Sequence, residues 1–439
     1  VSEAQVSTPS VSQLVEHLFR HEGGKMVATL TGIFGLEYLT LAEDVVQEAL
    51  SRALQTWPFY GVPDNPAAWI MRASRNLALD VVRREKVFRH KEPEIVRLME
   101  QQSPVADAGI VTEYEIGDDR LRLMFVCCHP SIPQDAQAAL ALKTLCGFSV
   151  TEIARAFLTN DAAIAKRLTR AKQKIREANV PFSIPVGPEL AQRLEGVWQT
   201  LYLLFNEGYK ASSGEKLVRE DLCAEAIRLA HLLASHRSCS DPRTHALLAL
   251  MLLNAARLPA RLDREGNLLR LAEQDRRQWN SAMIARGMFH LAKSAGGDQL
   301  SRYHLEAGIS ACHCAAADYA STDWPKILAL YDRLRDFDES PVIALNRAIV
   351  VAEVHGPETA LSVIQSIQRA RPLETYYLLY ATLGELKSRL GRFDEAADDF
   401  NQACELAGMK SEKEFLTRRR AECLQHHPNR LQAQERVPV

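Results

Sequence analysis

The sequence predicts an all-α protein. Three observations carry that expectation. Apolar residues recur at spacings of three and four along the whole chain, and the alternation of a half-buried strand is missing. Helix-start signals repeat: Thr40-x-x-Glu43 and Ser149-x-x-Glu152 have capping-box spacing, and Asn65-Pro66 pairs an N-cap with proline at the first helical position. Proline-bearing breaks then separate blocks of helix rather than interrupting them. The chain has 439 residues, 47% hydrophobic and 25% charged, enough for two or three domains. Its net charge of -2 excludes a global attraction to nucleic acid, so any such contact must come from local basic clusters.

The first block is residues 11 to 91. Thr40 and Glu43 open a helix reading LAEDVVQEALSRALQTW. Leu41, Val45, Ala49, Ala53 and Trp57 fall on one side; Glu43, Asp44, Gln47, Glu48 and Arg52 fall elsewhere and make a mainly acidic face. Pro58 is expected just beyond its end. The next helix starts at Asn65-Pro66, with Trp69, Ile70, Ala73, Leu77 and Val81 as the expected buried stripe. Arg72, Arg75, Asn76 and Arg83 give it a basic, amide-bearing face, extended by Arg84, Lys86, Arg89 and Lys91. Residues 92 to 117 read as a linker, with Pro93, Pro104 and Gly109 and the acids Glu92, Glu94, Glu100, Asp107, Glu113 and Glu115.

Residues 118 to 179 contain the most informative segment, FSVTEIARAFLTNDAAIAKRLTRAKQKIR, from Phe148 to Arg176. Ser149 and Glu152 cap a short helix, Leu158-Thr159 make a break, and Asn160 caps a second helix. That helix carries Lys166, Arg167, Arg170, Lys172, Lys174 and Arg176. A short helix, a tight turn and a basic second helix form the geometry that enters a DNA major groove. After the break PFSIPVGP at 181 to 188, a helical middle segment runs from 189 to 300. Residues 304 to 408 read as about three tetratricopeptide-like repeats. Gly384, Gly391, Ala396, Phe400 and Ala403 follow the small-and-large pattern of packed hairpins, and Gly356 and Ala360 repeat it at nearly the expected period. The tail after His426 reads as disordered.

The order LAEDVVQEALSRALQTW then NPAAWIMRASRNLALDVVRREK resembles the core-polymerase-binding and promoter-melting segments of bacterial sigma factors. The helix-turn-helix resembles their second promoter-reading module. The resemblance covers about residues 11 to 179, and the two-domain layout is similar to the extracytoplasmic-function group. The C-terminal half, with FNEGYKASSGEKLVREDLCAEAIRLA, resembles the tetratricopeptide extension of one subgroup. The resemblance implies two small helical sigma domains followed by a helical regulatory region. It implies that Glu43, Asp44, Val46, Gln47 and Glu48 dock on the clamp coiled coil of the polymerase largest subunit. Asn76, Asp80, Arg83 and Arg84 would face the minus-10 element; Ala162, Ala163, Lys166, Arg167 and Arg170 would meet the minus-35 element. Many relatives carry more Ser, Thr and Glu where this chain has Ala162 and Ala163. Alanines touch thymine methyls but cannot hydrogen-bond base edges, which shifts weight to shape readout.

The partners implied are core polymerase, promoter DNA and a peptide or protein ligand of the repeats. The alternative is a helix-turn-helix regulator with a repeat domain that senses a peptide or protein; it has no use for the acidic helix at Glu43 to Glu48. An enzyme is disfavoured, because His231, His236, His245, Asp221, Asp241 and Cys223 in the middle segment make no nucleophile-base-orienter pattern. No cofactor or metal is expected: Cys127-Cys128-His129 and Cys312-His313-Cys314 lack paired zinc-site spacing. Nine scattered cysteines, no membrane-length apolar run and no targeting blocks in VSEAQVSTPS point to a reduced, cytoplasmic setting.

Overall fold

A computed structural model describes residues 10–84, 118–157, 159–178, 180–185, 187–211, 217–264, 266–297, 299–367 and 371–426. The acidic linker at 92 to 117, the charges at Lys86, Arg89 and Lys91, Leu158, the side chain of Arg84 and the tail lie outside the described residues. Among those described, the regular elements are helical, and the only pairing of extended backbone is an isolated bridge between Leu262 and Leu268. The chain divides into two units, residues 1–204 with 235–239 and residues 205–234 with 240–439.

In the first unit, α1 (Val11–Phe34), α2 (Leu39–Tyr60) and α3 (Pro66–Arg84) pack in series. Ser10 and Gln13 form a reciprocal capping box at the start of α1. The expected box at Thr40 and Glu43 does not form. A 3₁₀ turn at Leu36–Tyr38 feeds α2 directly, and Tyr38 occupies the N-cap without a side-chain hydrogen bond. The Glu43 carboxylate is engaged by other helices. Nor does Pro58 end α2. The helix continues to Tyr60 and stops at Gly61, whose φ of 85° suits glycine and whose N–H is donated to the Trp57 carbonyl. In α3 the buried line is Ile70, Ser74, Ala78 and Val82; Trp69, Ala73, Leu77 and Val81 are only half-buried. The expected stripe is thus displaced by one residue. Trp69 packs its ring edge-on against buried Trp57 at 5.5 Å, so it belongs to the rim of this core.

The second module of this unit is α4 (Asp119–Cys127), α5 (Gln134–Cys146), α6 (Val150–Ala156) and α7 (Asp161–Ala178). Helix α4 is its centre, with Leu121, Leu123, Met124, Phe125, Val126 and Cys127 fully buried. Ser149 and Glu152 do form their capping box on α6, and the Asn160 side chain accepts from the Ala163 N–H at 2.9 Å to cap α7. The start of α8 (Pro188–Tyr209) completes the unit. Leu190, Leu194, Val197, Trp198 and Leu201 are buried, and Arg193 donates to the Phe125 carbonyl at 3.3 Å.

The second unit is a succession of helices: α9 (Glu220–Ser235), which ends at the boundary, α10 (Pro242–Ala255), α11 (Ser281–Ser294), α12 (Arg302–Ala315), α13 (Trp324–Leu334), α14 (Pro341–His355), α15 (Pro357–Ile367), α16 (Arg371–Glu374), α17 (Tyr377–Arg389), α18 (Phe393–Leu406) and α19 (Lys410–Gln425). Successive helices from α12 onward pack on their neighbours over two apolar clusters, one from Leu305 to Leu386 and one from Ala396 to Cys423. Gly384 of α17 faces the Phe400 ring of α18 so closely that an added Cβ would lie 3.0 Å from it. Ala360 and Ala396 are both fully buried.

Candidate nucleic-acid interface

Two helices of the first unit present polar faces outward while being held from behind. Helix α7 is anchored by Ile164, Leu168, Ala171 and Ile175. A hydrogen bond of 2.7 Å from Thr151 to Asp161 ties its first turn to α6. Ala162, Lys166, Arg170 and Lys174 are exposed on it, and Ala163 and Arg167 are half-buried. Arg167 is drawn sideways by an ion pair of 3.1 Å to Asp135 of α5. Lys172, the remaining member of the basic series in mid-helix, points away from this face and pairs with Glu43. The exposed set is therefore Lys166, Arg170, Lys174 and Arg176; the first three, four residues apart, make a cationic strip along one side of the helix, suited to phosphates.

Helix α3 exposes Arg72, Asn76, Asp80 and Arg83 in successive turns, with Arg75 half-buried beside them. Arg72, Asn76 and Arg83 bring guanidinium and amide donors and Asp80 a carboxylate acceptor, on a helix whose other side is fixed by Ile70, Ala78 and Val82. The aromatic pair Phe59 and Tyr60, at the end of α2, is 83% and 89% exposed. Sequence reasoning missed it because Pro58 read as the end of the helix. Two aromatics between Pro58 and Gly61, outside any apolar periodicity, were the available signal.

On α2 the residues expected to share an outward face do not. Asp44, Gln47 and Glu48 are exposed, with Glu48 paired to Arg52 at 2.8 Å. Val46 is 2% exposed and part of the core. The Glu43 side chain is only 12% exposed. One of its oxygens accepts from the Thr144 hydroxyl of α5 at 2.9 Å, and the other pairs with the Lys172 ammonium of α7. Nearby Cys127 is wholly buried, and burial first, then Cys128 and Glu43, pushes its thiol well up, so it stays protonated.

Two anchored helical modules with outward basic and amide faces, one of them a capped helix-turn-helix, have the features of a DNA-binding protein. Comparison with known families narrows that class to transcription initiation. Residues 18–87 match sigma-70 region 2, residues 122–175 match sigma-70 region 4, and residues 193–295 match a family of unknown function, DUF6596. The chain is 40% identical over 380 residues to the uncharacterized protein R00370 of Rhizobium meliloti (strain 1021), covering 86% of this chain and 89% of that one. It therefore belongs to one family with that protein and, by its two matched regions, to the sigma-70 type RNA polymerase sigma factors. Members of that type are initiation factors rather than enzymes, and their partners are RNA polymerase core and promoter DNA. No solved structure matches the chain. No helix among the described residues is long and apolar enough to cross a membrane.

Proposed function

We propose that the chain is a sigma factor of the extracytoplasmic-function group, acting in the cytoplasm, with a C-terminal tetratricopeptide-like region that regulates it. The observation that carries this reading is the placement of three outward faces on separate helices of one small unit. Asp44, Gln47 and Glu48 on α2 form an acidic face for the clamp coiled coil of core polymerase, with Glu43 joining them once released from α5 and α7. Asn76, Asp80 and Arg83 on α3, continued by Arg84, face the minus-10 element. Ala162, Ala163, Lys166, Arg167 and Arg170 on α7 face the minus-35 element, the alanines against thymine methyls and the cations against phosphates. No chemistry of its own is required. Melting is a binding effect, in which bases leaving the stack are held by side chains that offset the cost of opening.

The repeat reading of the C-terminal region, as stacked helical hairpins, is supported by its succession of helices packed on their chain neighbours and by the close approach at Gly384 and Phe400. Such hairpins create concave surfaces suited to a peptide or protein. The deciding experiment is run-off transcription with purified core polymerase. The full chain should direct initiation from a promoter selected from genomic fragments, and core alone should not. Failure to bind core at all would leave only a DNA-binding regulator.

A further inference from the structure

A cavity of about 330 Å³ lies wholly within the second unit. Helices α14 and α17 border it with Ala352 and Ala381, and the rings of Phe400 and Phe415 line it from α18 and α19. Its remaining wall is not a long helix of the succession. It is the segment from Leu268 to Glu273, between α10 and α11, which contributes Ala272. This wall is fastened in several places. Arg270 pairs with Glu385 of α17 at 3.0 Å, and Arg418 of α19 donates to the Leu268 carbonyl at 3.3 Å. The Gln274 amide donates to the Leu269 carbonyl at 3.3 Å, and Arg276 donates to the His313 and Ala316 carbonyls at 2.6 and 2.7 Å. The cavity is therefore bounded by built structure on every lining element.

Two features set what it can hold. The first is unfilled apolar space. Alanines stand at Ala272, Ala352 and Ala381, where longer side chains would gain contacts that the empty space forfeits. Ile349, also on its border, is a large apolar side chain left 41% exposed. The second is charge balance. The charged side chains of the lining pair with one another: Arg270 with Glu385, and Arg389 with Glu353 at 2.5 Å. A charged ligand would have to displace one partner and leave the other unmatched beside apolar walls. The volume falls at the lower end of the range of about 300–1,000 Å³ typical of small-molecule sites.

We propose that this cavity is a binding site for a small uncharged molecule with an apolar, ring-bearing body. Affinity comes from burying that body against Ile349, Phe400 and Phe415. The molecule would touch α14, α17, α18, α19 and the 268 to 273 wall at once, so the occupied site holds these elements together. Binding here is independent of the sigma-factor reading of the first unit.

The test is fluorescence titration of the full chain with a matched pair of dyes. N-phenyl-1-naphthylamine is uncharged; 8-anilino-1-naphthalenesulfonate has the same rings and carries an anion. Ala381→Leu fills the cavity from α17, and Ile349→Ser removes an apolar border residue that is already exposed, so the fold is not at risk there. The uncharged dye should bind saturably, with one site per chain, and about tenfold or more tightly than the sulfonated one. Each substitution should weaken it by about tenfold or more. Ala381→Leu should also raise the melting midpoint of the unliganded protein, because it supplies the missing contacts. Circular dichroism checks that the variants are folded, and if Ala381→Leu is not, Ile349→Ser decides alone. No saturable binding of the uncharged dye overturns the site. So does wild-type affinity in folded Ile349→Ser, which places the dye elsewhere. Tighter binding of the sulfonated dye overturns the ligand class, since the cavity would then select an anion.

Discussion

Glu43 and Asp44 are adjacent in sequence and differ wholly in circumstance. Asp44 stands exposed on α2, whereas Glu43 has both oxygens occupied by residues of other helices. The expected consequence is that the two respond differently to substitution. Reversing Asp44 and Glu48 to lysine should weaken core binding by about 2 kcal/mol or more, roughly thirtyfold, since both stand on the exposed face and Glu48 is held only by a surface pair with Arg52. The helical circular-dichroism signal should be unaffected. Core titration of the double variant checks this, and binding at the wild-type level would remove α2 as the docking helix. The helical phase of Leu41 and Val45 made the acidic face of α2 legible. The fate of Glu43 was not, because Thr144 and Lys172 lie more than a hundred positions along the chain. A capping-box spacing is likewise local information, and here the Glu43 carboxylate accepts from tertiary donors, the Thr144 hydroxyl and the Lys172 ammonium, instead. Val46 shows the same limit: it fits the exposed arc by sequence neighbourhood but is taken into the core by the packing of α1, α2 and α3.

At the scale of the element, α7 behaves as its sequence suggests in start and anchoring but not in the use of its charges. Of the basic series, Arg167 is tied to Asp135 and Lys172 to Glu43. Of the exposed strip Lys166, Arg170 and Lys174, the first two belong to the set expected against DNA. Replacing either with alanine in holoenzyme should flatten the slope of log affinity against log salt by about 0.9, and Arg167→Ala by less, because its charge is already shared. Filter binding across a salt series measures the difference; equal slopes for all three variants would mean that the Asp135 pair opens on DNA. Helix α3 shows why stripes are harder to place than helices. Its turns were predicted from Asn65-Pro66 and the apolar spacing, and the Asn65 side chain does accept from the Ala68 N–H at 3.0 Å. Its buried line nonetheless runs through Ser74, a polar residue that hydrophobicity alone assigns to the outside. Trp69, in contact with Trp57, stays at the rim, and the middle of the buried line is left to Ser74 and Ala78 between Ile70 and Val82.

At the scale of the molecule, the boundary between units falls later than the proline break suggests. Residues 189 onward read as the start of a separate domain, but Leu190, Leu194, Val197, Trp198 and Leu201 are buried and Arg193 reaches the Phe125 carbonyl within the first unit. A truncation after residue 185 would strip that cover from α4 and confuse loss of regulation with loss of fold. A cut after Tyr209 keeps it. The shortened chain should retain cooperative melting and core binding while losing most promoter-dependent transcription. Run-off assays compare it with the full chain, and transcription at the full-length rate would make the C-terminal region a passenger.

The second unit has its own signature in pH. His245 and His290 share a hydrogen bond of 3.0 Å between their Nδ1 atoms, which needs one ring nitrogen free of a proton. Burial lowers both; Lys293 faces each of them, Asp241 faces His245, and His231 and Arg286 face His290, which falls to about 4. Burial also takes His313 down to about 3, beside Arg257 and Arg276. These groups bind protons more readily unfolded than folded, so their contribution is complete above the ordinary histidine range. It is lost as pH falls from about 6.5 toward 4. Thermal melts from pH 7 to pH 4.5 should show the second unit losing its midpoint steadily, and His290→Asn should make that decline shallower.

Helix α10 offers almost no face to water. Thr244 to Leu253 are buried without interruption, chiefly against α11 and α12. A helix of that kind is a liability in time rather than in space. During synthesis α10 is complete at Ala255, but α12 is not finished until Ala315, some 60 residues later. At about 5–20 residues per second, a leucine-rich helix waits about 3–12 seconds for its cover. Yield of the protein in cells should therefore be governed by chaperone supply and translation speed over residues 255 to 315.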